Sequence, residues 1–356
     1  METTPAVPWT GPLAAFRQNV LERPVETVNT GCEDTLVPLG LALAGKAYGD
    51  AEMLAWAERW ADYHLKVPFV KDPPAGFRNQ NSGDPTRGVY LTTYCGEWGS
   101  TMVFCELPGN RCKDAITTLA DHIIEGSIRL QDGVIAHGSF APIPWVDTLY
   151  YTAAPLARVF QVTGVERYAQ EAVSQCRLHA HHLQDARTGL FFHEAHPTIG
   201  RRTSWFWSRG NGWIIMALAD TLRFCPPETP GWADVLRCYR EQVSGLLRLQ
   251  HGCGLWRIVP ENEESHLETS GSIMIATGIA AGIQAGWLDD PLAAYVRRTW
   301  NEVLTWIDDR GRLMGCQTPA GLGGWETHKK SMMGERTYGT GSLLRLAADL
   351  RAYGML

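Results

Sequence analysis

Two stretches, Trp145-Val146-Asp147-Thr148-Leu149-Tyr150-Tyr151 and Trp205-Phe206-Trp207-Ser208-Arg209-Gly210-Asn211-Gly212-Trp213, decide how this chain is read. Each opens a helical pattern. Between them lies one complete helical hairpin, Asp147 to Thr163 and Val165 to Gln184, which ends in Thr188-Gly189-Leu190 and runs on to His193. An acid among aromatics, a histidine beyond a glycine turn and an arginine between tryptophans and glycines form a set suited to binding and protonating a sugar.

The same plan recurs outward from this segment. Upstream, the pattern is helical from Glu33 onward, almost wholly apolar from Leu36 to Ala44, and Ala51 to Leu65 places Trp56, Trp60, Tyr63 and His64 on one face. After the Gly/Pro/Asn-rich loop Lys71 to Gly88 come Glu97 to Leu107 and the amphipathic Cys112 to Leu130. Downstream, Asn211 to Phe224 pairs with Trp232 to Gln250, Ser270 to Ala285 pairs with Pro291 to Ile307, and Gly341 to Ala352 closes the chain. These are degenerate repeats of about 40–55 residues, and a unit unable to bury its own apolar face must stack on its neighbours. Glycine recurs after each second helix, where it suits a left-handed C-terminal cap. The first helices, rich in Ala, Gly and Leu, belong inside. Their number and irregularity favour an all-α fold, a closed (α/α)6 barrel of helical hairpins, over an open superhelix. A single barrel domain over residues 1–356 is expected, with residues 1–30 as an irregular lead-in containing one helix, Pro12 to Leu21. In such a barrel the loops opening the inner helices gather at one end. Glu97-Trp98, Trp145-Asp147, Trp205-Trp213 and Glu268-Ser270 then converge, as a pocket requires.

Composition narrows the partners. A net charge of −6 argues against nucleic acid or an anionic membrane, and no apolar run approaches the roughly 20 residues of a membrane span. Fourteen tryptophans exceed what a core needs, and aromatic faces stack on sugar rings. Nine scattered cysteines contain no C-x-x-C pair, and Met1 to Val20 lacks the apolar core of a secretory signal. A reduced, cytoplasmic protein with buried thiols is expected.

Individual groups each carry a structural alternative. Asp147 either caps a helix or acts as general acid or base; packing among Trp145, Tyr150 and Tyr151 raises its pKa, while a helix N-terminus lowers it. His137 and His193 follow glycine turns at similar offsets, which points to ligand contact. His179, His181 and His182 lie within an amphipathic helix without carboxylate partners and read as a solvated face, so no metal is expected. Arg209, in a tight loop opening a helix, suits a substrate carboxylate in bidentate fashion, the alternative being a structural pair with Asp147 or Glu97. Gly321-Leu322-Gly323-Gly324 lacks the strand-to-helix context of a nucleotide loop.

Trp145-Val146-Asp147-Thr148-Leu149-Tyr150, Ser208-Arg209-Gly210-Asn211-Gly212-Trp213, Glu268-Thr269-Ser270 and Gly339-Thr340-Gly341 occur in that order. Together they resemble the unsaturated rhamnogalacturonyl hydrolases of glycoside hydrolase family 105 and, more distantly, the unsaturated glucuronyl hydrolases of family 88. The resemblance runs from about Asp132 to the C-terminus. It implies an (α/α)6 barrel without cofactor, acting on an oligosaccharide whose non-reducing end carries a 4,5-unsaturated uronic acid. It further implies that Asp147 protonates C4 of the vinyl ether, that water adds at C5, and that His137, His193, Trp145, Trp207, Arg209 and Trp213 bind the sugar. The family's second aspartate, near the opening of the second inner helix, has no counterpart in Thr93-Tyr94-Cys95-Gly96-Glu97-Trp98-Gly99, where Glu97 and Trp98 are the nearest substrate-facing candidates. The first inner helix opens on Gly31-Cys32-Glu33-Asp34 rather than on the family's aromatics. A saturated β-uronidase, a sugar epimerase and a non-catalytic glycan-binding barrel remain open as alternatives.

Overall fold

The computed structural model describes residues 9–31, 33–66, 70–71, 90–91, 93, 95–109, 112–139, 141–319, 324–329 and 331–356. Six helices form an inner ring: α2 (Leu36–Tyr48), α4 (Ser100–Glu106), α6 (Val146–Thr163), α8 (Ser208–Phe224), α10 (Thr269–Gln284) and α13 (Thr337–Ala352). Each packs on the next, and α13 returns to α2, so the ring closes. Outside lie α3 (Ala51–His64), α5 (Lys113–Glu125), α7 (Glu166–Leu183), α9 (Trp232–Leu247) and α11 (Ala293–Leu304). The helix α1 (Pro12–Leu21) has the bounds expected from the sequence. It is tied to the turn after α11, where Asn19 Nδ2 donates to Arg310 O at 3.1 Å. The lead-in is therefore packed against the last repeat. A short α12 (Trp325–Lys329) lies between the last inner helices.

Closure depends on small residues. A Cβ on Gly341 would lie 2.2 Å from the Leu36 carbonyl, and one on Gly40 2.6 Å from Gly341 O. The backbones of α2 and α13 touch there, so alanine at either position would push the seam apart. Farther along the inner ring, Asp220 of α8 accepts from Arg158 Nη2 of α6 at 3.2 Å and from Arg345 Nη2 of α13 at 2.5 Å. Arg158 also donates to Glu106 of α4. Four inner helices share this buried charge network, and Arg345 Nη1 extends it to the Tyr150 hydroxyl at 3.0 Å.

The glycines following the outer helices adopt left-handed conformations, with φ of 92° at Gly133, 78° at Gly189, 107° at Gly254 and 72° at Gly311. They are not helix caps, as the sequence pattern suggested. They lie several residues beyond the helix ends, at the tips of small antiparallel turns such as Arg129 with Ile135, Gln184 with Phe191 and Ile307 with Leu313. The turn sends the chain back toward the barrel mouth. Four residues past each glycine, a carbonyl then accepts an amide at the start of the inner helix of the same hairpin. Val146 N donates to His193 O at 3.1 Å, Ser208 N to Ile258 O at 2.9 Å and Thr269 N to Gly315 O at 3.0 Å; in the second hairpin the donor is Cys95 N, to His137 O at 3.4 Å, at the start of the 3-10 turn Cys95–Gly99 that leads into α4. This repeated bond satisfies an otherwise orphaned helix amide and delivers His137 and His193 to the mouth.

Paired two-residue strands complete the connections: β1 (Val70–Lys71) with β2 (Tyr90–Leu91), β3 (Ala195–His196) with β4 (Arg201–Arg202), β5 (Trp256–Arg257) with β6 (Leu267–Glu268), and β7 (Cys316–Gln317) with β8 (Met333–Gly334). The loop expected over Lys71 to Gly88 and the Gly321–Gly323 run fall almost wholly outside the described residues. The eight described cysteines are all unbridged. Among the described residues, no helix is long and apolar enough to cross a membrane.

Candidate active site

Asp147 occupies the first turn of α6, with Trp145 as the residue before the helix. Burial pushes its carboxyl up to about 6, against the opposing influence of the Arg209 charge and of its own backbone amide. Its Oδ2 has no hydrogen-bond partner. A carboxylate serving only as a helix cap would be hydrogen-bonded and would titrate low. This one is poised between protonation states near neutral pH, as a general acid requires.

An aromatic cage surrounds it. Trp145 stacks on His137 with ring centroids 4.2 Å apart and meets His193 edge-on at 5.1 Å. His193 in turn contacts Trp207 at 4.8 Å and Trp205 at 5.5 Å. Trp213 packs against Tyr150 at 5.1 Å and Tyr151 at 5.5 Å. Burial holds His137 down to about 3 and His193 well below its usual range, so both rings are neutral. His137 Nδ1 pairs with the Thr148 hydroxyl at 3.0 Å. Both nitrogens of His193, the indole N–H groups of Trp145 and Trp213, and Asp147 Oδ2 lack partners. Unsatisfied buried polar atoms cost about 1–3 kcal/mol each, and a polyhydroxylated ligand supplies what this cluster lacks.

Arg209 lies within the first turn of α8 rather than in the loop that the glycine-rich sequence suggested. Its guanidinium is sandwiched between Trp207 and Tyr338, 4.4 and 4.5 Å from the ring centroids. Nη1 donates to Gln317 O at 3.0 Å and Nη2 to Thr318 O at 3.4 Å, so the fork is held rigidly. Its acidic neighbour is Glu268, 3.9 Å away. Glu268 is itself fixed as the cap of α10, accepting from Ser270 N at 3.1 Å and Gln317 N at 3.1 Å. A guanidinium carries five N–H donors, so donors remain for a substrate carboxylate.

Not every expected residue joins this group. Trp98 is fully buried, edge-on to His122 of the outer helix α5 at 6.4 Å. The Glu97 side chain lies outside the described residues. The His179 cluster is not a uniformly solvated face: His179 is buried with Nδ1 against Gln175 O at 2.9 Å, and His182 pairs with Asp132 at 2.6 Å. No group of metal-ligating side chains occurs among the described residues.

Three participants carried no sequence signal of their own. Gln317 accepts from Trp207 Nε1 at 2.8 Å and meets His328 Nδ1 at 3.0 Å. His328, on α12, meets Trp205 edge-on at 4.2 Å with its Nε2 unpartnered. Glu33, from the turn before α2, senses the charges of both Arg209 and Asp147. Trp205 also borders a cleft of about 850 Å³, lined by Glu194, Arg201, Arg202, Glu261 and Asn262 among others.

A closed ring of helical hairpins whose mouth holds a carboxyl poised near neutrality, an aromatic cage and a rigid arginine defines a carbohydrate-active helical-barrel enzyme. The chain belongs to Glycosyl Hydrolase Family 88, whose pattern residues 33–353 match. It is 27% identical over 281 residues to the unsaturated rhamnogalacturonyl hydrolase YesR of Bacillus subtilis (strain 168), spanning 77% of this chain and 75% of that protein. The fold superimposes on a possible member of the GH105 family from Klebsiella pneumoniae subsp. pneumoniae MGH 78578 with a TM-score of 0.79, 19% identity and coverage of 99% and 95% of the two chains. It also superimposes on the unsaturated glucuronyl hydrolase of Bacillus sp. GL1 with a TM-score of 0.65 at 16% identity, over 91% and 86%. The (α/α)6 barrel and the glycoside hydrolase class expected from the sequence are thus borne out.

Proposed function

We propose that this enzyme removes a terminal 4,5-unsaturated uronic acid from oligosaccharides produced by polysaccharide lyases of the pectin or rhamnogalacturonan type. The observation that carries the reading is Asp147, a carboxyl raised to about 6 with an unpartnered oxygen facing an aromatic cage. Family membership and the likeness to a rhamnogalacturonyl hydrolase support the substrate class. The protonated Asp147 gives its proton to C4 of the vinyl ether, and positive charge develops at C5, shared with the ring oxygen. Water adds at C5 and returns a proton to Asp147. The resulting hemiketal opens, releasing the next sugar. Arg209 binds the uronate, His193 and the Trp145 and Trp213 indoles satisfy sugar oxygens, and the groove beyond Trp205 receives the leaving saccharide. One carboxyl thus serves in turn as acid and base, unlike the two-carboxylate glycosidase scheme. An oligosaccharide with a terminal uronic acid is the partner, and the site lies within one chain.

The test is the ultraviolet absorbance of the conjugated 4,5-ene, followed in a mixed lyase digest. Enzyme-dependent loss of that absorbance supports the reading. No loss, with release of phenol from a saturated aryl β-glucuronide, would identify a saturated uronidase on the same barrel.

A further inference from the structure

The turn before α2 brings a second carboxyl group to this mouth. It is tightly hydrogen-bonded: Asp34 N and Thr35 N both donate to Gly31 O at 3.1 Å. Its position against α6 is fixed at Gly99, where a Cβ would lie 2.3 Å from Thr35 Oγ1 and 3.2 Å from the Tyr151 ring. Thr35 is two residues past Glu33, and Tyr151 is one helical turn past Asp147. The backbone of Gly99 is therefore the contact across which the Glu33 turn and the Asp147 turn are held together. On the other side, Gly341 presses α13 against Leu36 and brings Arg336 and Tyr338 alongside.

Glu33 is partly exposed. Among the described residues it has no hydrogen bond or close ion pair, unlike its neighbour Asp34, which accepts from Asn29 N and Nδ2 at 3.2 Å. A partly exposed carboxyl without a structural partner, near enough to Arg209 and Asp147 to feel both charges, is available to a ligand. We infer that Glu33 is a specificity-determining residue that faces the terminal uronic acid beside Arg209 and admits it only while its own carboxyl is neutral. An ionised Glu33 repels the uronate and competes for Arg209; a neutral one donates a hydrogen bond.

The charges around it are consistent with such a switch. Burial raises Glu33 to about 7, with Arg209 and Arg336 opposing and Asp34 and Asp147 adding to the rise. Tyr338 of α13 is pushed up by burial and stays neutral, and Glu268 of α10 lies on the far side of Arg209. Glu97, before α4, has its side chain outside the described residues. With two carboxyls near one guanidinium, the proton count of the pair changes close to neutrality.

The inference rests on the proposed activity, and the test separates the two. KM for the unsaturated disaccharide of a rhamnogalacturonan lyase digest is measured from pH 5.5 to 8.5 in wild type and Glu33→Gln. If only the neutral form binds, KM rises about fivefold between pH 7 and pH 8 as the competent fraction falls. Glu33→Gln abolishes that rise, while the fall of kcat with pH, governed by Asp147, persists. The methyl ester of the same disaccharide, which lacks the anionic charge, shows a much weaker rise with wild type and keeps the question answerable if the variant folds poorly. Superimposable KM profiles for wild type and variant, or a flat wild-type profile, would overturn the role of Glu33. Absence of any turnover would instead count against the activity itself.

Discussion

The Arg209 guanidinium lies 3.9 Å from the Glu268 carboxylate, and both side chains are buried. The distance is too long for a direct hydrogen bond. Glu268 spends its oxygens on the amides of Ser270, Gly271 and Gln317, and Gln317 O in turn receives Arg209 Nη1. The pair thus balances charge at the mouth while the arginine keeps donors for a ligand.

Glu268→Gln removes the balancing charge and half of the cap on α10. Loss of a buried partner costs about 3–5 kcal/mol where the pair is fully desolvated; here the neutral amide still reaches one oxygen's worth of donors, so the lower end is expected. Thermal unfolding reads this directly. A melting temperature within a degree of wild type would show that Glu268 contributes little to holding α10.

Arg209→Ala removes the cation expected to hold the uronate. KM for the unsaturated disaccharide rises at least tenfold, and Arg209→Lys recovers only part of it, because a point charge cannot reproduce the planar fork. Loss of stability with KM unchanged would make Arg209 a purely structural clamp between Trp207 and Tyr338.

Asp220→Ala leaves Arg158 and Arg345 buried without their shared acid. Arg158 keeps Glu106 and Arg345 keeps Asp349 at 3.6 Å, so a destabilisation at the lower end of about 3–5 kcal/mol follows, seen as a lower denaturant midpoint. A shift within experimental error would mean that the network is dispensable for barrel closure.

Asp147 is raised from 3.8 to about 6, so in the folded protein its proton is held more tightly than in the unfolded chain. Stability from that proton is fully present below about pH 4 and is lost as pH rises through 6. Asp147→Asn, which cannot ionise, is therefore stabilised relative to wild type by up to about 3 kcal/mol at pH 8 and much less at pH 4. Melting curves at the two pH values check this. A difference independent of pH would contradict the raised carboxyl. In activity, kcat falls as pH rises above 6, because the acid form is lost.

Much of this was legible beforehand for physical reasons. The apolar, small-residue first helices and amphipathic second helices imposed stacking, and the repeat count imposed closure. Asp147, His137, His193 and Arg209 could be singled out because each sits at a fixed offset from a helix start or a glycine turn. The glycines read as caps in sequence because a need for positive φ is visible there while its distance from the helix end is not. Gly210 and Gly212 make the Arg209 segment read as a loop in sequence; inside the ring they allow close packing, a Cβ at Gly212 lying 2.7 Å from Met274. Gln317 and His328 were invisible because their partners lie a hundred residues or more away in sequence, at Trp207 and Trp205. In sequence Glu33 stands out only as a departure from the family pattern; its nearness to Asp147 depends on the packing of Gly99.

Asp147 supplies the proton to the unsaturated sugar in the proposed reaction. The most direct test of that role is the decay of 4,5-ene absorbance in the presence of Asp147→Asn, with folding verified by circular dichroism and melting. A loss of kcat of at least a thousandfold is predicted, with substrate still bound and the barrel intact; turnover near the wild-type rate by the folded variant would contradict it.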